Sequence, residues 1–567
     1  MNEEFVTENK PEVKAAGEQS GFLPKEALKR PVLSLLSLFV AGAVMMLLWW
    51  QVGGLGMRWP LSVLVVCGLY LFNTHLQERK VPLASWLLLG LTLLTSLIPV
   101  VRSEGNTVML SMLMTLFYLA LLTASFFGGS WWQYRFREYL RAALLAMAGF
   151  FVGFPIIASQ ASSSPKTDTA RKDAGKRLAL GILKGILISV PLLLIFTFLF
   201  AYADAVFESR LDHLLAWLRA DFLSQLFGRS LLTLFFTWLL AAALWLLVVN
   251  SSQPTQIEPD KPLLKPFLGM TETTITLVGL NLLFAFFIII QFQYFFAGGA
   301  NINQEGFTYA QYAERGFREL LFVAAIAGMV YYTLASLTRR ESKAHRLTFA
   351  LLAGLLLLQV AVVLISAYQR IVIYINAYGL TAYRLIPQIF IFFLAAVLLC
   401  LPVMEWGNQF KRLALVLAMA ALLFTFSLAA INVDTVLARH NITRALDGHD
   451  LDYAFLNHGL STDAEPYLFD LVNSDRLPSD LQENLEKILV CRSASFNASL
   501  KYNLHTWLDA TVSNIRVQAL YQENQDILRK WTPQPPEPDS HFLGFTIDNQ
   551  NIFCLPLEDW GETEFVD

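Results

Sequence analysis

The sequence predicts an all-α polytopic membrane bundle followed by a small, mainly helical extracytoplasmic domain that closes with a β-hairpin. Three observations carry that prediction. Hydrophobic residues make up 55% of the 567-residue chain and charged residues only 15%, with a mean hydropathy of +0.49. The apolar residues fall in repeated runs of roughly 18 to 24, the length an α-helix needs to cross a bilayer. The runs stop at Ile431, and residues 432–567 return to a water-soluble composition. Backbone polar groups inside lipid must be satisfied within the chain, so runs of this length read as helices.

Residues 1–31 are polar, carry Lys10, Lys14, Lys25, Lys29 and Arg30, and show no cleavage pattern. They read as a cytoplasmic tail held inside by its positive flank. Spans are expected at 32–50, 59–74, 83–101, 108–128, 178–200, 230–250, 275–297, 319–337, 347–369, 383–403 and 412–431. The apolar run 140–158 is set apart on charge. A crossing there would turn outward both the connector with Lys166, Arg171, Lys172, Lys176 and Arg177 and the loop with Arg339, Arg340, Lys343 and Arg346. That opposes the cytoplasmic bias of Lys and Arg. The run is therefore read as re-entrant, interfacial or packed within the protein, which leaves about eleven crossings, against about twelve if it spans. With eleven, the amino terminus faces the cytoplasm and the segment from Asn432 faces outward. The stretch 201–229 alternates acidic and apolar residues at helical spacing and reads as an amphipathic helix along the outer interface. Pro191 falls mid-span and should bend its helix, and Pro254, Pro259, Pro262 and Pro266 exclude a regular helix across 254–266.

In the tail, Ser461 and Asp463 mark a helix start, Asp480 leads the amphipathic pattern Leu481, Leu485, Ile488 and Leu489, and 503–530 offers one long helix. After Pro533, Pro535, Pro536 and Pro538, residues 542–554 suggest a hairpin turning at Asp548 and Asn549. Cys67 and Cys400 lie in apolar runs and read as buried small hydrophobes. Cys491 and Cys554 both lie in the tail, where an oxidising compartment would permit a disulfide.

Two segments near the expected outer surface are rich in polar and aromatic groups. The first runs Phe307-Thr308-Tyr309-Ala310-Gln311-Tyr312-Ala313-Glu314-Arg315-Gly316-Phe317-Arg318-Glu319 into a span. In the second, Gln359, Ser366 and Arg370 share a helix face, because separations of seven and eleven residues nearly complete whole turns. It continues through Tyr374 and Tyr378 to Arg384. An arginine here needs a carboxylate, carbonyls, water or a lipid phosphate, since a charge at the bilayer centre costs about 2.5 to 3.5 kcal/mol on insertion scales. Glu314, Glu319 and Asp434 are the nearest carboxylates, and Asp434 with Arg439 is expected to join Glu314, Arg315, Arg318, Arg370 or Arg384 in docking the tail. These residues form either a polar pocket for an anionic headgroup or small anion, or an ion-pair network that fixes the spans. The network is the better-supported reading, because polarity alone selects no ligand.

Other chemistry is thinly supported. The chain has no G-x-x-x-x-G-K-[ST], no His-Glu-x-x-His and no Cys-x-x-Cys, so no cofactor or metal is expected. Asp447, Asp450 and Asp452 superficially suggest a calcium loop, but His458 stands where its glutamate belongs. A formal net charge of -3 gives no reason to expect a nucleic-acid partner.

The segment from Phe307 to Phe317, the run Tyr374-Ile375-Asn376-Ala377-Tyr378-Gly379-Leu380-Thr381 with Arg384, and Asn432-Val433-Asp434 with Ala438, Arg439 and Asn441 together resemble the DUF4153 and DUF4173 families of multi-spanning membrane proteins. Leu451-Asp452-Tyr453 and Leu460-Ser461-Thr462-Asp463-Ala464-Glu465-Pro466 extend the resemblance, which covers about residues 275–475. It implies a bacterial plasma membrane protein and supplies no catalytic residue. The expected function is structural, sensory or interactive within the bacterial envelope, with membrane lipids and an envelope protein as partners. A transporter or lipid-handling protein with an outer-leaflet pocket is the alternative. An enzyme comes third, for want of an identifiable activated nucleophile or acid-base pair.

Overall fold

A computed structural model of the chain describes residues 28–50, 53–128, 131–134, 136–162, isolated positions between 185 and 207, 221–249, 266–296, 316–407, 409–474, 476–502, 507–536 and 541–556. The membrane part comprises α1 (Pro31–Trp49), α2 (Arg58–Leu76), α3 (Leu83–Ser96) with its one-turn continuation α4 (Ile98–Val101), and α5 (Gly105–Ser125). It continues with α6 (Phe136–Ser162), α7 (Asp221–Val249), α8 (Met270–Phe296), α9 (Phe317–Leu337), α10 (Lys343–Tyr378), α11 (Ala382–Trp406) and α12 (Leu413–Ile431). Among the described residues, 10 helices are long and apolar enough to cross a membrane. They coincide with the expected spans except 178–200, most of which lies outside the described residues. The interfacial helix expected at 201–229 falls largely outside them too, but its last part, from Asp221, is continuous with α7, whose candidate span begins at Gln225.

Small residues decide which helices approach closely. A Cβ on Gly153 of α6 would lie 2.8 Å from the Ala242 Cα of α7, and one on Gly149 would lie 3.2 Å from the Ala242 carbonyl oxygen. A Cβ on Gly42 of α1 would collide with Thr237 Oγ1 of α7. Helices in lipid gain no hydrophobic drive from association, so backbone approach of this kind supplies the packing contacts. Among the described residues, Ala148–Ala161 of α6 is an apolar stretch shorter than the candidate spans. The flanks of α6 are tied to one end of the bundle: the Trp131 indole donates to Ala84 O at the start of α3, and Gln160 Oε1 accepts from Leu28 N just before α1.

The opposite end carries the tail. Asn432 adopts φ 55°, breaks the chain between α12 and α13 (Val433–Leu446), and accepts from Thr435 N through its side chain. The tail continues as α14 (Tyr453–His458), α15 (Glu465–Val472), α16 (Ser479–Tyr502), α17 (Val512–Glu523), α18 (Gln525–Leu528) and an antiparallel hairpin of β1 (Phe542–Ile547) with β2 (Gln550–Pro556). Asp548 and Asn549 both have positive φ, the geometry of a tight hairpin turn. The single helix expected over 503–530 is instead broken. A 3-10 turn covers Trp507–Asp509, Thr511 caps the start of α17 by accepting from Asn514 N, and Asn524 interrupts the last turn. Capping side chains compete with helix continuation, and here they win. Cys491 of α16 is disulfide-bonded to Cys554 of β2.

Two large apolar cores result among the described residues. One joins α1, α2, α3, α5, α6 and α7. The other starts among α8, α9, α10 and α11 and runs without a break through Leu428, Val433 and Leu437 into the tail, as far as Ile552 and Cys554. The tail therefore shares its core with half of the bundle.

Candidate functional site

The long helix α10 organises the polar groups of the second half. Gln359, Ser366 and Arg370 lie buried on the face that meets α8, as their spacing requires. Gln359 Nε2 donates to Asn281 O (3.1 Å), while Ser366 Oγ (3.2 Å) and Arg370 Nη2 (3.0 Å) both donate to Gln291 Oε1. The Arg370 guanidinium also packs against Gly316, whose φ of 102° and missing Cβ leave room for it. The contribution of α8 was not among the expected site residues. Its signal in the sequence was the amide side chains of Asn281 and Gln291 inside a predominantly apolar span.

About two turns beyond Arg370 the helix ends at Tyr378, and its free carbonyls are capped by cations. Arg384 Nη1 donates to Tyr378 O (3.0 Å) and to Gly379 O, and its guanidinium lies 4.0 Å from the Tyr374 ring centroid. Tyr374 and Tyr378 meet edge to face at 5.3 Å. Arg444 of α13 donates to Asn376 O (3.2 Å) and Ala377 O (2.8 Å). Asn441 takes both backbone groups of Leu380, accepting from its N–H (2.8 Å) and donating to its O (2.7 Å). The tail thus clamps the end of α10 where unpaired carbonyls and the helix dipole favour positive charge.

Asp434 is placed otherwise than expected. It is buried, but accepts from Ser461 N (2.7 Å) within the tail and pairs with none of Arg318, Arg370 and Arg384. Arg439 is exposed on a different side of α13, because five residues rotate a helix by about 140° net. The two cannot face one network. Burial pushes the Asp434 carboxyl up to about 6, the Glu104 and Asp463 charges add to the rise, and the Ser461 bonds oppose it. Arg318 and Glu319 are exposed on the first turn of α9, with Arg318 near the Phe317 ring. Glu314 and Arg315 lie outside the described residues.

Two further contacts hold the tail to the bundle, and neither was foreseen. Arg58, at the start of α2, pairs with Asp509 through Nε to Oδ1 (2.6 Å) and Nη2 to Oδ2 (3.2 Å), each side chain only 1% exposed. Arg58 Nη1 also donates to Leu48 O, and the glycines of the α1–α2 connector let the backbone pass: a Cβ on Gly56 would lie 2.6 Å from the Ala510 carbonyl oxygen. The connector between α4 and α5 is taken by Asp463, whose Oδ2 accepts from Ser103 N (2.8 Å) and Glu104 N (3.2 Å). Within the tail, buried Arg492 binds Glu465 and donates to the carbonyls of Leu456, Asn457, Leu460 and Ser461. Arg58 and Asp509 stand 451 residues apart in sequence, beyond the reach of any local pattern. Among the described residues no group of His, Cys, Asp and Glu could hold a metal ion.

The sequence profile of a family described as "Domain of unknown function (DUF4153)" matches residues 89–471, and the chain belongs to that family. The match reaches well before residue 275, so it takes in much of the first half of the bundle as well as the motifs of the second. No curated protein and no solved structure matches the chain.

Proposed function

We propose that this membrane protein of the DUF4153 family is a structural and interaction protein of the bacterial envelope, presenting residues 432–567 as a rigid platform on the extracytoplasmic end of its bundle. The observation that carries this reading is the way the tail is held. Three separate connectors, at Arg58, Ser103–Glu104 and Asn376–Leu380, are engaged at once, mostly through backbone groups or buried side chains. Of the expected pocket residues, Gln359 and Arg370 are bonded to α8, Tyr374, Tyr378 and Arg384 meet one another at the end of α10, and Asp434 is bonded to Ser461 in the tail, which supports a scaffold.

Charge supports the orientation. The bundle end remote from the tail carries Lys29, Arg30, Arg79, Lys80, Arg339, Arg340, Lys343, Arg346 and Arg412, the bias of cytoplasmic loops. At the tail end, Arg58 and Arg384 are spent on Asp509 and on carbonyls. The buried disulfide fits a tail in an oxidising compartment. Photo-crosslinking groups placed at exposed tail positions such as Asp526 should capture a discrete envelope protein in intact cells, while the same group at Glu341 should not. Absence of any adduct from the tail, together with purification free of a second protein, would overturn the partner assignment.

A lipid-handling or transport role around Glu319, Gln359, Arg370, Tyr374, Tyr378 and Arg384 is the second reading. Gln359 Oε1 and Asn281 Oδ1 favour it, being buried acceptors without a hydrogen-bond partner. Native mass spectrometry of protein purified in mild detergent tests it: retained anionic phospholipid that is lost in Arg384→Gln supports handling, and equal lipid content in both proteins contradicts it.

A further inference from the structure

The apolar surface of the tail is unevenly distributed. Of the described residues after Asn432, the large apolar side chains left exposed are Leu446, Trp507, Val512, Ile515, Phe542 and Phe553. Three of these six fall within the nine positions 507–515, at 69%, 53% and 61% exposure. That stretch is also where the tail meets the membrane part. Asp509 is bonded to Arg58 at the first residue of α2, the α1–α2 connector packs on Asp509 and Ala510, and Thr511 Oγ1 lies 3.4 Å from Ser103 Oγ beside α5. Residues 507–515 therefore lie across the ends of two helical hairpins, at the level where those helices leave the bilayer. The same level is marked on the bundle by Trp49, Trp50 and Trp59, the residue type that concentrates at a membrane–water boundary.

We infer that Trp507, Val512 and Ile515 form a membrane-interface contact, seated among the headgroups and upper acyl chains of the outer leaflet beside α1 and α2. Val512 and Ile515 are three residues apart on one side of α17, while Ser513 and Val517 are buried. A tryptophan with its polar nitrogen and two aliphatic side chains suit a layer that is wet on one side and apolar on the other. An exposed apolar group of this composition needs a cover, and the adjacent cover is lipid, because α1, whose end this stretch meets, also leaves Leu47 exposed. The contact would hold the platform against the bilayer beside the α1–α2 connector, in addition to the α10 clamp. It rests on the proposed docking of the tail but not on which protein partner the platform serves.

The test uses the full chain with Cys67 and Cys400 replaced by Ser and the disulfide retained. Single nitroxides at Trp507→Cys and at Ile515→Cys are compared in phosphatidylglycerol–phosphatidylethanolamine liposomes. The expected result is higher accessibility to oxygen than to a water-soluble nickel chelate at both sites, with the reverse at Asp526→Cys. Preference for the nickel chelate at 507 and 515 would place them in water and overturn the contact. Shielding from both reagents would show protein covering them, which also overturns it. Both native side chains are more than half exposed, so the labels leave the core intact, and elution as a single species checks folding. Loss of the envelope-protein crosslink with lipid accessibility unchanged would count against the partner alone.

Discussion

Asp434 is a carboxyl buried at the hinge between bundle and tail, facing Ser461 with Glu104, Asp463 and Arg492 around it. Its folded-state value of about 6 lies above the ordinary value near 3.8, so the docked fold binds the proton more tightly than the unfolded chain. This group's effect is most favourable below pH ~4, declines as pH rises between the two values, and is flat above the folded one. At roughly 1.4 kcal/mol per unit, it is worth on the order of 2 to 3 kcal/mol. Asp434→Asn should therefore remove part of the pH dependence of tail hydrogen exchange between pH 4 and 7 and leave the tail at least as protected at pH 7.5. An unchanged pH profile would contradict this. Asp509→Ala tests the other buried carboxylate. It strands the Arg58 charge away from water, for which about 3 to 5 kcal/mol is the usual cost, and should expose the tail to protease. At this scale the sequence was legible where one helix decides the outcome: the shared face of Gln359, Ser366 and Arg370 follows from spacing alone. It was illegible where partners come from distant segments, as with Arg370 and Gln291 or Arg58 and Asp509.

Among elements, the apolar runs were readable because lipid imposes their length, and ten appear as helices where expected. The tail was harder. Its stretch 503–530 has the periodicity of a helix, yet Thr511 and Asn524 divide it, since a cap can outweigh a continuous apolar pattern in water. Close packing of α6 on α7 was also invisible, because a glycine in an apolar run looks alike whether it faces a helix or lipid. Gly153→Leu should lower the thermal midpoint measurably in detergent by forcing the side chain into Ala242, whereas Gly68→Leu, with open space around it, should leave the midpoint nearly unchanged. Equal effects would show that this packing is not specific. Asn441→Ala removes two bonds to Leu380 and should raise hydrogen exchange in 376–384 well above any change in β1 and β2.

For the whole molecule, the membrane class and the end of the apolar runs before the tail were legible from composition. How the two join was not. The shared core from α8 to Cys554 predicts that the tail unfolds together with the second half of the bundle, so that denaturation followed in the tail and in α10 gives coincident transitions. The account stands or falls on the tail and its connectors lying at the extracytoplasmic end, with the basic loops at the other. Single cysteines at Asp526 and Glu341, in a chain lacking Cys67 and Cys400, place both ends in one experiment with a membrane-impermeant maleimide on intact cells. The account predicts labelling at 526 before lysis and at 341 only after it. Labelling at 341 in intact cells, with 526 protected until lysis, would contradict it.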